Sequence, residues 1–269
     1  MTDRPTECPE CRDTGFRIEE RDGLHLAVRC GCRRTKNNDA LLRASRIPPR
    51  YMHCAVESFE IWEPAPHDHL QRKAKRCTRE FIDCYPAVDK GLLFMGNVGT
   101  GKTHLAVAAL QELTRSKGVR GLYVNALDLV QQLQMSFDGT GPGREALLAP
   151  VTDADLLVLD ELGAGKLSEW VRDLLYYVIN SRYMAKRVTV CTTNYLDGPQ
   201  PSVRRGPMEL GSQGPTDAAD LGGTGYGQES LADRISARLR SRLYEMCEVI
   251  ELRGDDYRAR RLAAPGRRP

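Results

Sequence analysis

Residues 91–103 read GLLFMGNVGTGKT, and they are the strongest indication of the fold. The first five are an apolar run typical of a buried strand, and His104 opens a run, HLAVAAL, typical of a helix. Residues 96–103 match G-x-x-x-x-G-K-[ST] at every fixed position. This strand–loop–helix context predicts a phosphate-binding loop in an α/β sheet.

The loop supplies the groups that bind a nucleoside triphosphate. Its backbone N–H groups and the following helix N-terminus converge on an anion. Lys102 is placed to reach the β- and γ-phosphates, and the Thr103 hydroxyl to ligate Mg²⁺. The alternative is a glycine turn before an ordinary helix. It would require the four fixed positions of the motif to match by chance, which is rare when glycine makes up about 7% of residues. The predicted nucleotide-binding residues are Gly96, Asn97, Val98, Gly99, Thr100, Gly101, Lys102, Thr103 and His104.

Two acids follow a second apolar run. Residues 156–159 read LLVL, typical of a strand buried on both faces, and they lead into Asp160 and Glu161. Acids at the carboxyl end of a parallel strand face the crevice where open α/β sheets bind ligands. Asp160 is predicted to hold Mg²⁺ through water, and Glu161 to act as general base on the attacking water. Strands often end in acids, so the prediction depends on the phosphate loop upstream.

A third strand is predicted over residues 188–191, and it is followed by Thr192, Thr193 and Asn194. An amide at the tip of an adjacent strand can orient the lytic water against the γ-phosphate. Asn194 is therefore the candidate for that role, with an ordinary turn residue as the alternative.

The amino-acid composition is typical of a soluble cytoplasmic enzyme. The 269 residues are 41% hydrophobic and 28% charged, and the net charge of +3 permits a nucleic-acid partner without demanding one. No apolar run approaches 18 residues, and the N-terminal residues lack a signal-peptide core, so no membrane association is expected. Nine cysteines, an odd number, favour reduced thiols over a disulfide framework.

Four of the cysteines cluster near the N-terminus, as Cys8-Pro9-Glu10-Cys11 and Cys30-Gly31-Cys32. The residues between them alternate around Asp22-Gly23, which predicts a β-hairpin. A hairpin would bring the two pairs together as a structural Cys₄ zinc site, and metal would supply much of the folding free energy of so short a segment. Free thiols, a redox pair, or His25 in place of one thiolate are the alternatives.

The chain divides into five predicted parts: a zinc-binding module (1–36), a helical linker (37–90), the nucleotide core (91–195), a Gly/Pro-rich mobile insertion or passive linker (196–230), and the C-terminal part of the core (231–269). Ser230 with Asp233 three residues later predicts a capped helix start. We expect that helix to carry Arg234, Arg238, Arg240 and Arg242, before a last strand over residues 249–252.

The order of these parts resembles the AAA+ ATPases of the DnaC/DnaI helicase-loader group, with IstB-type transposition helpers as close relatives. The resemblance spans nearly the whole chain apart from the insertion. Besides the phosphate loop, it is carried by CPEC at 8–11, RIPPRY at 46–51, LDELG at 159–163, TTN at 192–194, SRLYEMC at 241–247 and GDDYR at 254–258.

The resemblance implies a five-stranded, mostly parallel sheet flanked by helices, without a C-terminal helical lid. It identifies Lys102 and Thr103 with the Walker A motif, Asp160 and Glu161 with Walker B, and Asn194 with sensor 1. Arg242 matches the arginine that acts in trans on a neighbouring subunit, and Arg238 is one turn away. Arg258 matches the sensor 2 arginine.

The resemblance also implies the function. An ATPase of this group would deliver a replicative helicase to single-stranded DNA, as a homo-oligomer in the ATP state, with Mg²⁺ and Zn²⁺ as cofactors. Residues 125–137 correspond to the helix that contacts DNA, although they contain no basic residue. The alternatives are a transposition helper that delivers a transposase to target DNA, and a nucleotide-sensing adaptor that hydrolyses ATP negligibly.

Overall fold

The computed structural model describes residues 8–11, 14–21, 24–61, 67–137, 143–165, 167–197 and 229–259. The strands are β1 (Phe16–Arg21), β2 (Leu24–Arg29), β3 (Gly91–Gly96), β4 (Gly121–Asn125), β5 (Leu156–Asp160), β6 (Val188–Thr193) and β7 (Cys247–Leu252). The helices are α1 (Gly31–Ala44), α2 (Asp68–Cys84), α3 (Lys102–Lys117), α4 (Ala126–Phe137), α5 (Arg144–Asp153), α6 (Glu169–Met184), α7 (Leu231–Ile235) and α8 (Ala237–Met246).

The central sheet has five parallel strands in the order β4-β5-β6-β3-β7. The predicted α/β sheet is therefore confirmed. β3 is apolar and buried at every position, and β5 at every position before Asp160, because helices cover both faces of the sheet. Leu93 and Met95 pack in the core on the side of α4 to α8, and Leu92 and Phe94 pack on the side of α1 to α3.

The parallel arrangement fixes the place of the site. Every strand of the central sheet ends at the same edge, so the segments after β3, β5 and β6 meet there. The phosphate loop follows β3, Asp160 is the last residue of β5, and Asn194 follows β6 directly.

The N-terminal segment forms the predicted hairpin. β1 and β2 pair antiparallel, from Phe16 opposite Arg29 to Arg21 opposite Leu24. α1 begins at Gly31 and runs across the predicted boundary between residues 36 and 37. Asn38 on this helix donates from Nδ2 to the carbonyl of Arg115 at 2.8 Å, which ties α1 to α3 and so to the nucleotide core.

The segment after Ser230 differs from the single helix that the sequence predicts. The predicted capping box is present, because the Ser230 hydroxyl accepts from the Asp233 N–H and the Asp233 carboxylate accepts from the Ser230 N–H. The helix then breaks at Ser236, whose φ of 84° is left-handed. Ser236 also caps α8, since its hydroxyl accepts from the Leu239 N–H at 3.4 Å. α7 and α8 are therefore separate helices.

Three predictions fall at least partly on residues outside the described part of the chain, and the turn at Asp22-Gly23 is one of them. Most of the predicted insertion, residues 198–228, lies outside it, and so do residues 260–269, where a lid would begin. In the ranges given above, no helix is long and apolar enough to cross a membrane.

Candidate nucleotide-binding site and cysteine cluster

The glycines of the phosphate loop have positive φ values, and Gly99 and Gly101 show why other residues do not fit. Gly99 and Gly101 have φ values of 75° and 91°, in the left-handed region that side chains rarely occupy. A Cβ on Gly99 would stand 2.0 Å from Asp256 Oδ1, and one on Gly101 would stand 2.5 Å from Cε2 of Phe59. Both conformation and space therefore require glycine here.

Lys102 is buried at the start of α3, with 6% of its surface exposed. Its Nζ donates to the carbonyl oxygens of Gly96 and Asn97 at 2.8 and 2.5 Å, so the loop's own backbone binds the ammonium. Burial lowers the pKa of Lys102 to about 8, against the opposing effect of the Asp160 carboxylate. A phosphate entering the loop would give this cation an anionic partner.

Asp160 accepts hydrogen bonds from three hydroxyl groups. Thr103 Oγ1 and Thr192 Oγ1 donate to its Oδ1 at 2.8 and 2.5 Å, and the Tyr123 hydroxyl donates to Oδ2 at 2.7 Å. Burial, followed by the charge of Asp160, raises the pKa of Tyr123 far above its usual range, so the phenol remains a donor. The adjacent Thr103 and Asp160 oxygens are the ligand type that Mg²⁺ prefers.

Glu161 is held by backbone geometry and by one amide. Its φ of 58° is left-handed, a strained conformation for a residue with a side chain. Its N–H donates to Thr192 Oγ1 at 3.0 Å, and its Oε2 accepts from Asn125 Nδ2 at 3.0 Å. The Asn125 Oδ1 in turn accepts from the Leu127 N–H at the start of α4. Asn125 thus links the Glu161 carboxylate to a neighbouring helix.

Sequence reasoning missed Tyr123 and Asn125 as site residues. Both belong to β4, which carries no motif, and the sequence suggested only a helix region from residue 125. The structure pairs Asn125 with Asp160 across the sheet, so the β4 residue stands beside the Walker B acids. No local pattern predicts that register, because it is set by the pairing of strands distant in sequence.

A cavity of about 970 Å³ opens at this edge of the sheet. It has the size of a small-ligand site. The predicted residues that line it are the whole segment from Asn97 to His104, together with Glu161, Asn194 and Arg258. The segment before α2 also lines the cavity, through Arg50, Tyr51, His53, Cys54, Ser58 and Phe59.

The C-terminal segment meets the phosphate loop directly. The Tyr257 N–H donates to the Gly99 carbonyl at 3.1 Å, and the Arg258 N–H donates to Asp256 Oδ1 at 2.9 Å. Arg258 thereby stands at the same cavity as Lys102, although it is far from it in sequence.

The four arginines of α7 and α8 all contact groups of their own chain. Arg234 donates to the Gly163 carbonyl, and Arg240 pairs with Asp197. Arg238 and Arg242 stack on tyrosines of α6, with guanidinium carbons 4.3 Å from the Tyr176 ring centre and 4.1 Å from that of Tyr183. Arg242 also forms an ion pair with Glu245 at 2.9 Å. Among the residues described around the cavity of its own chain, neither Arg238 nor Arg242 appears.

The four predicted cysteine ligands come together. Their sulphur atoms all lie within 4.8 Å of one another, with Cys8 Sγ 3.8 Å from Cys30 Sγ and Cys11 Sγ 3.2 Å from Cys32 Sγ. The Gly15 N–H points at Cys11 Sγ at 3.4 Å, as expected of a backbone donor to a metal-bound thiolate. Burial tends to raise the pKa of Cys11, but the hydrogen bonds with Cys32, with the Gly15 N–H and with Cys8 and Cys30 together outweigh it and lower that pKa to about 7.

This cluster fits a structural Cys₄ zinc site. His25 does not belong to the cluster within the described part of the hairpin. It pairs with Glu20 near the turn, whereas the cysteines lie at the open end, where the Cys30 N–H bonds to the Gly15 carbonyl.

Comparison with known proteins agrees with this geometry. The family model described as IstB-like ATP binding protein matches residues 11–198. The phage-like element PBSX protein XkdC of Bacillus subtilis (strain 168) is 28% identical over 200 residues, which cover 68% of this chain and 73% of XkdC. The replicative helicase loader DnaC of Escherichia coli (strain K12) is 29% identical over 151 residues, covering 56% of this chain.

A crystal structure of the DnaC helicase loader superposes with a TM-score of 0.58 and 31% identity, covering 77% of this chain and 100% of that one. The match to the Escherichia coli protein spans 59% of its length. The P-loop AAA+ fold and the predicted resemblance are thereby confirmed. Because the family model covers most of the chain, this protein belongs to the IstB-like ATP-binding proteins and is homologous to the DnaC helicase loaders.

Proposed function

We propose that this protein binds and hydrolyses ATP, and that it uses the nucleotide to deliver a replicative helicase to single-stranded DNA. One observation carries the enzymatic part. Lys102, Thr103, Asp160, Glu161 and Asn194 come from three separate segments and meet at one edge of the sheet. Such convergence is what phosphoryl transfer to water requires.

Each residue has a defined task in this proposal. Lys102 leaves its two backbone carbonyls and pairs with the β- and γ-phosphates. Thr103 and Asp160 would hold Mg²⁺, which supplies charge neutralisation on the phosphates. Glu161 accepts a proton from the attacking water, and Asn194 orients that water. Arg258 adds positive charge to the cavity from the C-terminal segment.

Two variants test the enzymatic part. Lys102→Ala should lose nucleotide binding, because it removes the loop's one side-chain cation. Glu161→Gln should bind nucleotide normally and lose hydrolysis, because it keeps the shape of the side chain and removes the base. Titration calorimetry and phosphate release measure the two effects. Lys73→Ala and Glu145→Gln, two single variants at exposed positions, are the matched controls for Lys102→Ala and Glu161→Gln. Undiminished hydrolysis in either site variant would refute the assignment.

The loader role rests on homology to DnaC. Its test is a pull-down of replicative helicase and of transposase from the same organism by the Glu161→Gln protein with ATP. Retention of helicase supports the loader. Retention of transposase alone supports the transposition helper, which the IstB-like family match favours. Normal nucleotide binding with no hydrolysis in the unmodified chain would point to the sensing adaptor.

Assembly follows from the position of Arg242. It lies outside its own cavity, so we propose that it enters the site of a neighbouring subunit as the trans-acting arginine. Arg242→Ala should then bind ATP and hydrolyse it poorly. Mixing it with Glu161→Gln should restore some activity, because one kind of interface pairs an intact Glu161 with an intact Arg242. Arg238→Ala distinguishes the two candidates. Co-assembly of the mixed variants without rescue would exclude Arg242.

A further inference from the structure

A second cluster of metal-ligand side chains lies in the wall of the nucleotide cavity. One ring nitrogen each of His53 and His104, and the Sγ of Cys54, lie within 4.8 Å of one another. All three residues line the cavity. In the part of the chain that the structure describes, only this cluster and the four cysteines bring three such ligand atoms together.

The fold brings these residues together from two segments. His53 and Cys54 follow the short 3₁₀ turn Pro49–Tyr51, and His104 lies in the first turn of α3, directly after Thr103. Gln111, two turns further along α3, donates from Nε2 to the carbonyls of Tyr51 and Cys54, both at 3.1 Å. The position of the Cys54 backbone relative to α3 is therefore fixed by the protein itself.

A hydrogen bond to the backbone sets the tautomer of His104. Its Nε2 lies 2.8 Å from the carbonyl oxygen of Ala55. A carbonyl can only accept, so Nε2 carries the proton of the neutral ring and Nδ1 keeps a free lone pair. Metal-binding histidines commonly donate their other N–H to a backbone carbonyl in this way. His53 is exposed, so its ring can turn toward a metal without repacking the core.

We propose that His53, Cys54 and His104 form a second metal site, which binds a zinc-class divalent transition metal. Two imidazoles and one thiolate suit such an ion. With metal–nitrogen bonds of about 2.0 Å and a metal–sulphur bond of about 2.3 Å, tetrahedral ligand atoms stand roughly 3.3–3.6 Å apart. Since the present separations are no more than 4.8 Å, a contraction of at most about 1.5 Å completes the site. The Cys54 thiol loses its proton to solvent as the sulphur–metal bond forms, and the fourth position opens onto the cavity.

Cobalt titration of the full chain tests this site. The protein is stripped of metal and reloaded with one equivalent of zinc, which the four N-terminal thiolates take first. Co²⁺ is then added. We expect a further equivalent to bind with thiolate-to-cobalt charge-transfer absorption. Cys54→Ser should abolish that absorption, and His53→Ala should weaken cobalt binding by at least about tenfold.

Two matched variants control for nonspecific effects. His67→Ala removes a cavity histidine outside the cluster, and Cys84→Ser removes an exposed thiol on α2. Both should bind cobalt like the unmodified protein. If Cys54→Ser fails to fold, the exposed His53→Ala variant decides the matter. Absence of the charge-transfer absorption once the first site is filled, or unchanged affinity in His53→Ala, would overturn the proposal. Neither result depends on whether the protein hydrolyses ATP.

Discussion

Nucleotide affinity should fall with rising pH because Lys102 is buried. In the free protein its pKa is lowered to about 8, from an ordinary 10.5. A bound triphosphate supplies the anionic partner that the ammonium lacks, and so returns the pKa to at least its ordinary range. The complex then holds more protons than the free protein above pH 8, so by linkage the affinity must decrease as pH rises.

The size of the effect follows from the two pKa values. At pH 7 the free protein carries Lys102 mostly as the ammonium, and at pH 9 about nine-tenths of it is neutral and must take up a proton on binding. The dissociation constant of a non-hydrolysable ATP analogue should therefore rise about tenfold between pH 7 and pH 9. Near pH 8, binding should take up about half a proton.

Titration calorimetry in buffers of different ionisation enthalpy measures both quantities with Mg²⁺ in excess. Burial lowers the pKa of His104 below its ordinary 6.5, so that residue is neutral throughout this range. Lys102→Arg is the control, because a guanidinium stays charged at all these pH values. Its affinity should be lower but independent of pH. A flat profile in the unmodified protein, or an equal decline in Lys102→Arg, would refute the reasoning.

Three further predictions concern stability and metal. Arg182→Met should lower the free energy of unfolding by at least about 3 kcal/mol, because the fully buried guanidinium donates to carbonyls at the end of α5 (Val151 and Ala154) and at the start of β6 (Val188). Urea unfolding measures this, with exposed Arg120→Met as a control that should change little. Tyr123→Phe should lower the free energy of unfolding by about 1.5–3 kcal/mol, since Asp160 loses one of its three hydrogen-bond donors. Exposed Tyr177→Phe is the control, and equal melting temperatures of the two variants would contradict the prediction. Replacing Cys30 and Cys32 together by serine should remove one tightly bound zinc per chain, measured by elemental analysis, and leave nucleotide affinity nearly intact; unchanged zinc content would show that the ligand set is wrong.

The sequence predicted those parts of the structure whose signals lie within short, continuous stretches of the chain. The phosphate loop, the hairpin around residues 22–23 and the capping box at Ser230 each depend on residues within a few positions of one another. Apolar runs predicted β3 and β5 for the same reason, since a strand covered on both faces has no polar position. Because β3 and β5 belong to one parallel sheet, the polar residues that follow each strand lie at the same edge of that sheet.

Contacts between segments distant in sequence became visible only in the folded protein. Asp160 receives hydroxyl donors from α3, β4 and β6, and Glu161 is held by Asn125, which carries no motif. The break at Ser236 likewise goes with packing, because α7 and α8 each bury two apolar side chains in the same core on either side of it. Periodicity and capping report on local hydrogen bonds. The register of strands and the faces that helices turn to the core depend on the whole chain, and the cluster of His53, Cys54 and His104 exists only through them.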